Sequence, residues 1–143
     1  MRRLAPIAFV ALTALALLSA CGGDDDGGST AAGGPTALEV ELWPAGEGQG
    51  AAVTATLTCD PAGGDLPDPA AACAALAAEA DALDPVPADT ACTELYGGPE
   101  QARITGTLAG APVDAVLSRG NGCEIDRWER LLPLLPAYEP VPL

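Results

Sequence analysis

The run VTATLTCDPAGGDLPDPAAACAAL, residues 53–76, sets a strand, a break and a helix in immediate succession. From Val53 to Thr58 apolar and threonine residues alternate, the period-two pattern of a strand with one face buried. Cys59 follows, and Pro61-Ala62-Gly63-Gly64 breaks the chain. Asp68 then offers a side-chain acceptor to the free amides of a first helical turn, and Pro69 sits where a missing N–H costs nothing. Cys73, Leu76 and Ala77 follow at three- and four-residue steps, so they share a helical face. The helix is expected from Pro69 to about Leu83, ending before Pro85. Cys73, fourteen positions from Cys59, is within reach of a local strand-to-helix staple.

Working outward, Leu38-Glu39-Val40-Glu41-Leu42 alternates in the same way and predicts a second strand, separated from the first by the Gly- and Pro-rich turn Pro44 to Gly50. Asp84 to Pro99 is punctuated by prolines and glycines and predicts an exposed loop with Cys92 in its middle. Ala102 to Ala109 and Pro112 to Arg119 predict a hairpin joined at Gly110-Ala111, with Cys123 expected to end its second strand. Beyond it, Trp128, Leu131, Leu132 and Leu135 fall at helical spacing within Ile125 to Leu135, a helix that Pro133 and Pro136 keep short. Two pairs of strands, each pair followed by a helix, are expected to form one α+β domain at residues 37–143.

The N-terminus has the three parts of an export signal. Arg2 and Arg3 precede an apolar core, Ile7 to Leu18, and small residues lead to Cys21. That core is shorter than the roughly 20 residues a membrane span needs. A small-residue site ending in cysteine is similar to a bacterial lipoprotein signal. Residues 1–20 are then expected to be removed, with Cys21 acylated and residues 21–36 a flexible Gly/Asp-rich linker. This places the domain outside the cytoplasm, anchored to the outer face of the cell membrane through lipid on Cys21, or secreted. Setting Cys21 aside leaves four cysteines, Cys59, Cys73, Cys92 and Cys123, an even number suited to disulfides in an oxidising compartment. Four cysteines allow three pairings.

Composition excludes several functions. Losing Arg2 and Arg3 leaves twenty acids against four arginines, so the net charge moves from −14 to about −16. No nucleic-acid partner is expected, because phosphates need Lys and Arg to release counterions. The chain has no histidine, which removes His-activated serine or cysteine nucleophiles and imidazole metal ligands. Only Ser29 and Ser118 follow the signal. Asp24-Asp25-Asp26 has nothing to complete an oxygen shell and is read as a solvated charge run. An enzyme, a metal site and a cofactor are all disfavoured.

Several segments, taken in order, resemble one family. Residues 56–64 and 67–76 resemble the first disulfide region of actinobacterial subtilisin inhibitors. Cys92-Thr93-Glu94-Leu95-Tyr96 resembles their reactive-site segment, residues 105–114 their following hairpin, and Asn121-Gly122-Cys123-Glu124 their last cysteine motif. The resemblance covers roughly residues 38–125. It implies an antiparallel sheet of about five strands with two helices packed on one side, two disulfides paired Cys59–Cys73 and Cys92–Cys123, and often a homodimer.

It also implies the function of a serine protease inhibitor that offers Glu94–Leu95 as the scissile bond. Cys92 would anchor the loop through Cys123, with Tyr96 and Asn121 as its support. The residue before the scissile bond enters the protease's primary pocket, and the family commonly has Met or Lys there. Glu94 would be costly in such a pocket and suits a cationic one, so the expected partner is a serine protease, subtilisin-like by family or Glu-specific by this residue. Gly97-Gly98-Pro99-Glu100 departs from the family pattern and is one residue longer; its glycines are expected to loosen the leaving side. The alternative is a cell-surface binding or structural lipoprotein that keeps the inhibitor fold without inhibiting.

Overall fold

The computed structural model describes residues 34–140. The expected signal, Cys21 and nearly all of the linker lie outside the described residues. Five strands, β1 (Thr36–Trp43), β2 (Val53–Cys59), β3 (Gly63–Gly64), β4 (Gln101–Leu108) and β5 (Ala111–Ser118), form one sheet. Its order is β3-β2-β1-β4-β5, and every pairing is antiparallel. Helix α1 (Pro69–Glu79) runs into a 3₁₀ turn, Ala80–Leu83, and α2 (Gly122–Arg130) into a second, Leu132–Leu134.

The alternation in β1 and β2 puts Leu38, Val40 and Leu42 beside Ala55 and Leu57 on one face, all buried. Register carries that face across the sheet. Val40 lies between Ala55 and Ile104, and Ile104 pairs with Ala115. Large side chains thus stand beside small ones, leaving room for the helices. Ala72 and Leu76 of α1, Ala82 and Leu83 of its 3₁₀ turn, and Trp128, Leu131, Leu134 and Leu135 fill that room in one core. The opposite face carries Thr54, Thr56, Glu39, Arg103 and Asp114, where Arg103 and Asp114 form a bidentate pair on neighbouring strands.

Asp68 caps α1 as expected, its Oδ1 accepting from the Ala71 amide at 2.9 Å, and Pro69 takes the first helical position. The buried pair on α1 is Ala72 and Leu76, with Ala77 exposed, so the core stripe is rotated from the expected one. Cys123 lies in the first turn of α2 rather than at the end of a strand, since β5 stops at Ser118. In the C-terminal segment Leu132 is exposed and Leu134 buried. The α-helix ends at Arg130, and the tighter 3₁₀ turn puts Leu131 and Leu134, three apart, on one side.

Two arginines tie the helices together. Arg127 is buried and donates to the carbonyls of Ala82, Leu83 and Val116 and to Glu124, which covers an acceptor of edge strand β5. Arg130 donates to Glu79 at 2.6 Å and to both Asp81 oxygens at 2.8 Å. Its hydrogen bonds hold the Asp81 carboxyl below the usual carboxylate range.

The β4–β5 hairpin turns through Ala109-Gly110, both at positive φ, the geometry that favours Asn-Gly. Alanine at φ 51° is strained there. Ala109→Asn is expected to raise stability by about 0.5–1 kcal/mol, seen as a higher urea midpoint at unchanged slope. A lower midpoint would contradict this account of the turn.

Candidate functional site

The site is the loop between the first 3₁₀ turn and β4. Residues 85–92 make one local backbone hydrogen bond among the described residues, Thr90 N–H to the Pro87 carbonyl, and none to the rest of the domain. They run beside a groove of about 540 Å³ shared with α2, lined by Val86, Pro87, Thr90, Asp126 and Arg130 among others. The chain comes back to the domain at Cys92, which is disulfide-bonded to Cys123. Cys59 is bonded to Cys73. Both pairings implied by the resemblance are therefore formed, and each joins a strand or loop to the first half of a helix.

Two backbone hydrogen bonds bracket the segment after Cys92. The Gly122 N–H donates to the Thr93 carbonyl at 3.0 Å, and the Gly97 N–H donates to the Arg119 carbonyl at 2.8 Å. Between these pins stand Glu94, Leu95 and Tyr96, all exposed, Leu95 at 61 % and Tyr96 at 60 %. An exposed Leu and Tyr side by side on a short tethered segment form a surface suited to a partner's cleft. The segment pairs with no strand and forms no helix, and it is held by these two pins and the adjoining disulfide.

The expected support residues are distributed differently. Cys92 precedes the segment and is bonded to Cys123 in α2. Asn121 caps α2, its Oδ1 accepting from the Glu124 amide at 3.0 Å. The loop is instead held by its neighbour, Gly122, where a Cβ would collide with the Thr93 side chain. Asn121 thus acts on the loop through the helix start it fixes, with Gly122 the first residue of α2. Tyr96 stands exposed at the tip of the segment.

The Gly97-Gly98 segment also differs from expectation. Gly97 and Gly98 do not loosen the chain. A Cβ on Gly97 would press on Ile125 Cδ1 at 3.0 Å and Arg119 Cβ at 3.2 Å. Gly98 is buried at φ 141°, a conformation open to glycine, and a Cβ there would collide with the Glu100 carboxylate. The glycines permit close packing over an ion pair with a buried carboxylate, Glu100 Oε1 to Arg119 Nη1 at 3.1 Å. Glu100 is only 3 % exposed. No pattern in the sequence marks this pair, because its members are nineteen residues apart in an otherwise acidic chain. Tyr138, packed against the core, lies close by; burial, and then the Glu100 charge, hold its phenol above the ordinary value while Arg119 opposes.

A family model described as subtilisin inhibitor-like matches residues 35–121, well over half of the chain. The matched span takes in the whole sheet, α1, the Cys59–Cys73 disulfide and the exposed loop, and ends at Asn121, two residues before Cys123. No curated protein matches the chain at a significant level. With the five-stranded antiparallel sheet, the two helices on one face and both disulfides in place, the chain belongs to the subtilisin inhibitor-like family.

Proposed function

We propose that this protein inhibits a serine protease by presenting Glu94–Leu95 as a substrate-like bond, from the outer face of the cell membrane where lipid on Cys21 holds it. The observation that carries this is the exposed segment Glu94–Tyr96, fixed at Thr93 and Gly97 and adjoining the Cys92–Cys123 disulfide. A loop already ordered before docking loses little conformational entropy on binding.

In this reading the protease serine oxygen attacks the Glu94 carbonyl carbon. The Glu94–Leu95 C–N bond breaks, and a proton passes to the new Leu95 amine. The disulfide keeps the two chain segments joined, and the Gly97 pin holds the amine's segment only two residues downstream. The amine can then attack the acyl ester, expel the serine oxygen and restore the peptide bond. High effective concentration favours this over hydrolysis by a diffusing water.

Glu94 selects the enzyme. Its carboxylate entering an apolar pocket unpaired would cost several kcal/mol, two or more decades of affinity. A cationic pocket reverses the sign. The target is therefore a Glu-specific serine protease ahead of a subtilisin with an apolar pocket. Titration against a glutamyl endopeptidase and against subtilisin tests this. Stoichiometric loss of glutamyl endopeptidase activity, with weaker inhibition of subtilisin, is expected. Activity of both enzymes unaffected by excess protein would overturn it and favour a binding lipoprotein that only retains the fold.

A further inference from the structure

We propose that the Glu100–Arg119 pair positions the leaving side of the reactive bond, an inference that rests on the inhibitor reading. Arg119 touches the loop twice. Its carbonyl accepts from the Gly97 amide, and its guanidinium reaches Glu100 beneath Gly98. Gly97 packs against Ile125 of α2 and the Arg119 Cβ, and Gly98 against the Glu100 carboxylate and the Arg119 guanidinium.

Stability alone does not account for such a pair. Burying the Glu100 carboxylate costs desolvation that its attraction to the partly exposed Arg119 guanidinium roughly repays, and apolar residues of the same size often serve as well. Here the pairing is also incomplete, since the buried Glu100 Oε2 and Arg119 Nε have no hydrogen-bond partner among the described residues. What the charged pair supplies is a fixed geometry for Arg119, whose main chain holds Gly97. Glu100 and the Arg119 side chain touch no substrate atom. They act through the Gly97 pin, keeping the Leu95 amine near the acyl ester after cleavage.

The test uses Glu100→Gln, which keeps the size and removes the charge. Amide exchange is followed by NMR at Gly97 and, for comparison, at Val40 and Ile104 in the sheet. Exchange at Gly97 is expected to rise about tenfold relative to the sheet amides, because local opening is released without global unfolding. Hydrolysis of Glu94–Leu95 by a Glu-specific protease should accelerate by a similar factor. An unchanged Gly97 rate, or one rising in step with Val40 and Ile104, would overturn the proposal. If Glu100→Gln fails to fold, Arg119→Lys, which keeps the charge and the main-chain carbonyl but loses the planar fork, gives the same comparison. Exchange needs no protease, so a failure of the positioning role is separable from a failure of the parent protein to inhibit.

Discussion

Replacing Glu94 by methionine is expected to tighten binding to subtilisin by about a hundredfold or more and to weaken binding to a glutamyl endopeptidase by a similar factor. Glu94 is exposed between the two pins, so the exchange alters the group offered to the protease and leaves the core alone. The cost it removes is that of taking a carboxylate out of water into an apolar pocket without a counter-charge. In a cationic pocket the same exchange removes a charge-assisted hydrogen bond and strands the enzyme's own charge. Inhibition constants for both forms against both enzymes measure the two effects together, while an unchanged urea midpoint shows that folding is untouched. Equal constants for the Glu and Met forms would mean that residue 94 does not occupy the primary pocket.

Removing the Cys92–Cys123 bond, as Cys92→Ala with Cys123→Ala, is expected to lower stability by about 3–4 kcal/mol and to convert the inhibitor into a substrate. The first figure follows from loop closure over a sequence separation of 31 residues. The second follows from the structure around the loop. Among the described residues, 85–92 make no hydrogen bond to the rest of the domain, so the disulfide is the chief restraint on the approach to Glu94–Leu95. Without it, Thr93 must find Gly122 unaided, and a cut chain is no longer held covalently across the gap. The double variant should be cleaved with turnover at Glu94–Leu95 by an enzyme that the parent protein inhibits stoichiometrically. Removing Cys59–Cys73 instead should cost about 3 kcal/mol, but it lies at the β2–α1 junction, so inhibition by the folded fraction should persist. Equal loss of inhibition from both removals would show that the disulfides serve stability only.

The sheet and α1 were legible because their chemistry is local. Leu38-Glu39-Val40-Glu41-Leu42 declares its buried face through side-chain alternation, and Asp68-Pro69 declares a helix start through capping. Strand β3 was not legible: Gly63 and Gly64 have no side chains to alternate, and they pair because their bare backbone can approach Thr56 and Leu57 closely. The start of α2 was hidden for a related reason. Asn121-Gly122 suits a turn as well as a cap, and only the tertiary contact with Thr93 decides between them. At the exposed loop, position and cysteines were carried by the family resemblance. The pins were not readable, because both join backbone groups from distant segments. Gly97-Gly98 gave the wrong expectation on its own, since glycine confers freedom on an isolated chain and close packing where neighbours fill the space.

The most direct test of the inhibitor account is mass spectrometry of the protein after incubation with an equimolar glutamyl endopeptidase, before and after disulfide reduction. The account predicts slow, partial gain of one water in a chain that stays whole until reduced. Reduction should then release two fragments meeting at Glu94 and Leu95, while protease activity remains suppressed. Rapid complete digestion at many sites, or a single cut elsewhere with protease activity intact, would contradict it.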